Sequence, residues 1–184
     1  GSEDVRRANG EVTSWLAGHD GYLEQVETEA RNALASSGYS GEGPFSSRNL
    51  LDLSASAGFE LHPVEDMPSF ARSIIDLDQH RVYIAQRDAL RTRQARKAVL
   101  QTLAGFLLGH ETDPDLDTFL RQRVETAYFA AAVLAPEDAV VVRLSGAKDN
   151  HDIDVEDVKE LFYVSYEMAA WRTVNLATRH LGLR

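Results

Sequence analysis

The stretch from Arg96 to Ala135 constrains this chain more than any other. RKAVLQTLAGFLLGH reads as an apolar helix, HETDPDLD as an acidic break, and FLRQRVETAYFAAAVLA as a second apolar helix. Each run carries more hydrophobic surface than a solvent-facing helix can expose. The two are therefore expected to bury against one another, with everything else packed around them. Asp113-Pro114 is a turn starter. The acidic break lacks the alternating ligands and central glycine of an EF-hand, so it reads as a turn and cap. Pro136 stops the second run, and Pro136-Glu137-Asp138 opens a further helix, with proline at an allowed first position and carboxylates favoured by the dipole.

The segments before this pair supply lighter elements. Val12, Trp15, Leu16, Tyr22, Leu23, Val26, Ala30, Ala33 and Leu34 recur at roughly helical spacing, interrupted by Gly18 and Gly21. This predicts a helical arm over residues 1–36 that packs or links, with a dimerisation helix around Trp15 and Tyr22 as the alternative. The Gly/Ser/Pro-rich loop from Ser36 to Ser47 is the expected hinge between the arm and a body over residues 37–184. Ser46 or Ser47 can cap a helix from Arg48 to Ala57 that Gly58 ends. Strands are expected at Phe59–Val64, Arg72–Leu77 and Arg81–Ala85, the last two joined through Asp78-Gln79-His80. The fold class is α+β, mainly helical with a small three-stranded antiparallel sheet.

Three blocks arrive in order: an LxxLxxxLLGH helix ending at His110, RVETxYFAAAxLxPE around Glu125 and Tyr128, and VSYEMAAxRxxNLATRHLG from Val164. Together they resemble the ImmA/IrrE-like domain of ligand-responsive bacterial transcription regulators, most closely the short-chain fatty-acyl-responsive ones. Active members of that wider family are zinc peptidases with His-Glu-x-x-His on the first helix and a glutamate ligand on the second. The aligned positions here are Gln101-Thr102-Leu103-Ala104-Gly105. Both imidazoles and the catalytic carboxylate are missing, and a lone Glu125 at the third-ligand position holds zinc poorly. His110-Glu111 cannot substitute, because Pro114 stands four residues after His110, beyond the helix. The resemblance thus implies a zinc-peptidase-like scaffold without metal, cofactor or catalysis. Its vacated site would be bounded by Gln101, Gly105, Glu125 and Tyr128, with Glu125 partnered by Gln101, Thr102 or Arg72.

The resemblance further implies a DNA-binding helix-turn-helix domain before residue 3 and a Cys-containing ligand domain after Arg184. Gly1-Ser2, read as a cloning scar, agrees with a piece cut from a longer chain. By the same resemblance the parent responds to a short-chain acyl-CoA or related metabolite, and a homodimer is one expected assembly. The sequence reading is a non-catalytic sensor, relay or dimerisation domain. A small-molecule pocket in the vacated site and a metal-independent hydrolase are its alternatives.

Composition narrows these classes. With 184 residues the chain can bury one real core. It has no cysteine, which excludes disulfides and a thiol nucleophile and fits a reducing cytoplasm. No apolar run reaches the ~20 residues needed to span a bilayer, so no membrane partner is expected. A net charge of -10 repels nucleic acid at long range. Residues 155–180 have a helix-turn-helix outline, but the first helix is acidic and the second opens Tyr-Glu-Met-Ala-Ala-Trp, unlike a base-reading helix. Direct nucleic-acid binding by this chain is not expected, and Arg172 and Arg179 are expected in salt bridges. Arg87, Arg91, Arg93, Arg96 and Lys97 crowd the entry to the first core helix, where cations oppose the dipole. They read as a solvated face, or alternatively as the mark of an anionic partner. No phosphate loop or GxSxG is present, and His19, His62, His80, His110, His151 and His180 show no ligand spacing.

Overall fold

The computed structural model describes residues 1–68, 71–86, 90–149 and 155–181. Of the residues read from the sequence, Arg87 and His151 lie outside these. In chain order the elements are α1 (Ser2–Gly18), α2 (Glu24–Ser36), α3 (Ser47–Ser56), β1 (Glu60–Val64), β2 (Ser73–Asp76), β3 (Arg81–Ala85), α4 (Arg93–Leu107), α5 (Leu116–Leu134), α6 (Glu137–Asp149), α7 (Val155–Phe162) and α8 (Tyr166–Leu176). A π-helical turn, Ala177–Leu181, follows.

The centre of the molecule is α5. From Tyr128 to Ala135 every residue is buried, so this half of the helix has no solvent face. α4 packs along it most extensively, as the two apolar runs require, and α2, α1 and α8 cover its other sides. The small residues Ala130, Ala131 and Ala132 allow neighbours close to its axis. Capping follows local chemistry: Thr92, Asp115 and Ser165 each accept a backbone N–H from three residues ahead, at the starts of α4, α5 and α8.

The sheet corrects one expectation. Its order is β1-β3-β2, with β2 antiparallel to β3 but β1 parallel to β3, so it is mixed and not all antiparallel. Strand composition predicts the strands, but which strand lies between which is decided by the path of the connection after β1. That path places β2 on the far side of β3. β3 is the central strand and buries Val82, Ile84 and Ala85. Pro63 sits in edge strand β1, where a missing N–H is tolerated.

One hydrophobic cluster runs through both sides of the 36/37 boundary: Tyr22, Leu23, Val26, Ala30 and Ala33 share it with Phe45, Leu50, Leu100 and Phe129. α1 adds a small satellite, Ala8 and Val12 against Leu120 of α5.

Candidate functional site

The four residues bounding the expected vacated site have separate surroundings. Gln101 and Gly105 are part-buried on α4, and a Cβ added at Gly105 would meet nothing within 4 Å. Glu125 is on α5, its side chain 27 % exposed, and its Oε2 accepts a hydrogen bond from His110 Nε2 at 3.1 Å. The partner is thus His110 and not one of the three residues expected. What places it there is the end of α4. Gly109 takes φ +68°, its N–H bonds to Phe106 O at 3.2 Å, and His110 N–H bonds to Gly105 O at 2.9 Å, a Schellman closure that turns His110 back beside α5. Glu125 also lines a cleft of about 640 Å³ with Leu107, Leu108 and residues of α2 including Glu24 and Glu29. Gln101, Gly105 and Tyr128 are not part of that cleft's lining. Among the described residues no three His, Cys, Asp or Glu side chains gather as metal ligands. A glutamine and a glycine offer zinc no imidazole, so the residues at these positions do not fit that ion.

Tyr128 belongs to a different centre, one with little signal in the sequence. It is fully buried, donates from Oη to Glu27 Oε1 at 2.6 Å, and accepts the N–H of Leu23 at 3.2 Å. Arg172 of α8 completes the group. Its Nη1 and Nη2 both bond the Glu27 carboxylate, the latter at 3.1 Å, and Nε donates to Ala135 O at 2.8 Å. The side chains are 0 % and 1 % exposed for Arg172 and Glu27. Burial, reinforced by the charge of Glu27, pushes the Tyr128 hydroxyl far above the usual phenol range. The carbonyl of Ala135 is free to accept because Pro136 ends α5 there.

A second polar centre adjoins this one at the start of α6. Glu137 accepts from Tyr22 Oη at 2.9 Å, from Arg31 Nη1 at 3.1 Å and from His180 Nε2. Burial pushes the Glu137 carboxyl up, but the hydrogen bonds from His180 and Tyr22 and the nearby cations outweigh it, and the net shift is down. Burial, Glu137 and Glu27 raise Tyr22 to about 12. Arg179 lies over the Tyr22 ring at 4.1 Å, a cation–π contact where a salt bridge was expected; Arg172 does form one. A cavity of about 290 Å³ borders Glu27, Arg31, Tyr39 and Glu137.

Chemically, these centres hold rather than react. Each charge is matched by partners, and the links of Tyr22, Leu23, Glu27 and Arg31 join the region before residue 36 to residues after 127. In sequence Glu27 is one acid in VETEA, indistinguishable from exposed Glu24 and part-buried Glu29.

The cation cluster at the entry to α4 also resolves. Arg96 is 4 % exposed and donates to Phe45 O and Tyr163 O, so it is a structural clamp and the solvated-face reading fails for it. Burial and neighbouring Arg93 lower its pKa. In the helix-turn-helix outline, α7 and α8 pair through Val158, Phe162 and Met168, and α8 sends Arg172 and Asn175 inward.

No protein-family profile and no curated protein matches the chain. A solved structure does match: a Mycobacterium tuberculosis transcriptional regulator, at TM-score 0.69 and 15 % identity, over 88 % of this chain and 50 % of that one. What the two share is the fold. The chain spans half the length of that regulator's solved chain. Among the described residues no helix is long and apolar enough to cross a membrane.

Proposed function

We propose that this chain is a non-catalytic regulatory domain of a transcription regulator, built on an ImmA/IrrE-like zinc-peptidase scaffold that has lost its metal site. The observation that carries the reading is the fold likeness to a transcriptional regulator over 88 % of the chain, joined to glutamine and glycine at the two imidazole positions, Gln101 and Gly105. The chain covers half of that regulator. We accordingly place a DNA-binding domain and a ligand domain in the remainder of the parent protein, which acts in the cytoplasm as a homodimer and responds to a short-chain acyl-CoA or related metabolite. The acidic charge and the inward-facing arginine of α8 favour a relay between other domains over direct contact with DNA by this one.

The test has two arms. Purified chain is assayed for zinc by elemental analysis and for peptide cleavage with zinc added. Separately, the chain is fused to a helix-turn-helix domain lacking its own dimerisation element, and operator repression is measured in a reporter strain. Substoichiometric zinc, no cleavage and restored repression are expected. Zinc-dependent cleavage, or repression identical with and without the chain, overturns the proposal.

A further inference from the structure

Two cavities adjoin along the groove between α4 and α8. One, of about 180 Å³, is bordered by Arg93 and Lys97 of α4, by Leu134, and by Glu167 and Met168 of α8. The other, of about 300 Å³, shares Lys97, Glu167 and Met168 and continues over Ala127, Ala131 and Trp171.

Among the described residues the first chamber has a net positive lining. Arg93 stacks over the Tyr163 ring at 4.4 Å, and its buried Nε has no hydrogen-bond acceptor. Lys97 makes no hydrogen bond or ion pair among the described residues. Buried Arg96 shares the same ring, its guanidinium 5.0 Å from the Tyr163 centroid. Among the described residues one carboxylate, Glu167, lines the chamber against Arg93 and Lys97. The chamber also lies where α4 and α8 both begin, at Arg93 and Tyr166, so their dipoles add to the positive potential that these cations already create. Such crowding in a chain of net charge -10 is relieved by an anion. The second chamber is different: alanines, Met168 and Trp171 offer non-polar surface and an aromatic ring.

We propose that this groove binds a small organic anion, its phosphate or carboxylate held by Arg93 and Lys97 and its non-polar part against Met168 and Trp171. Binding itself is independent of the regulatory role proposed above; only its description as an effector site rests on that role.

The experiment is calorimetry on the purified chain with phenyl phosphate and benzoate, with inorganic phosphate as a headgroup without a non-polar part. Lys97 and Glu167 are exposed, so Lys97→Met and Glu167→Gln leave the fold intact. Saturable one-to-one binding of at least one aromatic probe is expected, tighter than inorganic phosphate. It should weaken about tenfold or more in Lys97→Met, the loss of one charge-assisted contact. It should strengthen severalfold in Glu167→Gln, a gain that a merely structural glutamate would not give. The tighter of the two probes assigns the headgroup. No saturable binding of either aromatic probe, or binding that neither substitution changes, overturns the proposal. The regulatory reading fails on a separate measurement, zinc-dependent cleavage or an indifferent reporter, so the two failures are distinguishable.

Discussion

Arg172→Met is the sharpest perturbation of this fold. The guanidinium makes three hydrogen bonds, two to Glu27 and one at 2.8 Å to Ala135 O, with the arginine 0 % exposed. Methionine fills similar volume but leaves a buried carboxylate with only the Tyr128 hydroxyl, and a buried carbonyl with no donor. Breaking one side of a buried ion pair costs about 3–5 kcal/mol, and the orphaned carbonyl places the loss in the upper part of that range. Domains of this kind have about 5–15 kcal/mol in total, so a third or more of the stability should go. In urea, with a slope of about 2 kcal/mol per molar, the unfolding midpoint should fall by about 2 M. The double variant Glu27→Met with Arg172→Met removes both charges and should recover most of the loss, because the desolvation cost disappears with the attraction. A single Arg172→Met variant losing less than about 1 kcal/mol, the range of an exposed pair, would place this guanidinium in water and refute the buried network.

Glu125 should behave differently: with one partner and a part-exposed side chain, Glu125→Ala should cost under about 1 kcal/mol and Glu125→Gln less. A double-mutant cycle with His110→Ala measures this directly; a coupling of several kcal/mol would show that the pair is buried. Tyr22 carries an alkaline limb. Its folded pKa is raised to about 12 from 10.0, so the stability it contributes is present below pH 10 and is lost between 10 and 12, as the unfolded chain ionises first. Denaturant unfolding across that range should be steeper in the wild type than in Tyr22→Phe, and identical slopes would remove Tyr22 as the cause. Glu137 has the opposite sign: its lowered pKa gives stability present above the ordinary carboxyl range and lost as pH falls through the folded value. Glu137→Gln should therefore flatten the acid limb of a thermal-melt profile.

The sequence by itself determined the elements and the core pair. Arg96 to Ala135 is apolar beyond what a surface helix permits, and the structure buries its last stretch, Tyr128 to Ala135, on all sides. Short-range chemistry also set element ends: Ser46 and Gly58 bound α3, Pro136 separates α5 from α6, and the strands fall within a residue or so of their expected limits. These are local effects, carried by capping side chains, ring geometry and periodicity within a few residues.

Only the tertiary structure decided what meets what. The pairing of Glu27 with Arg172 spans 145 residues: a salt bridge was expected of Arg172, but nothing near Glu27 in sequence marks it as the partner. The direction of β1 relative to β3 depends on the route of a connecting loop, which leaves the alternation of a strand unchanged. Arg96 looked like one more surface cation, yet it is buried because Phe45 and Tyr163 supply carbonyls from distant loops. His110 was set aside for its spacing to Pro114, but three-dimensional folding of the Gly109 turn brings it to Glu125. In each case a polar side chain acquires its role from partners far along the chain. Hydrophobic pattern constrains where a helix must be buried but carries no record of which charge will be buried with it.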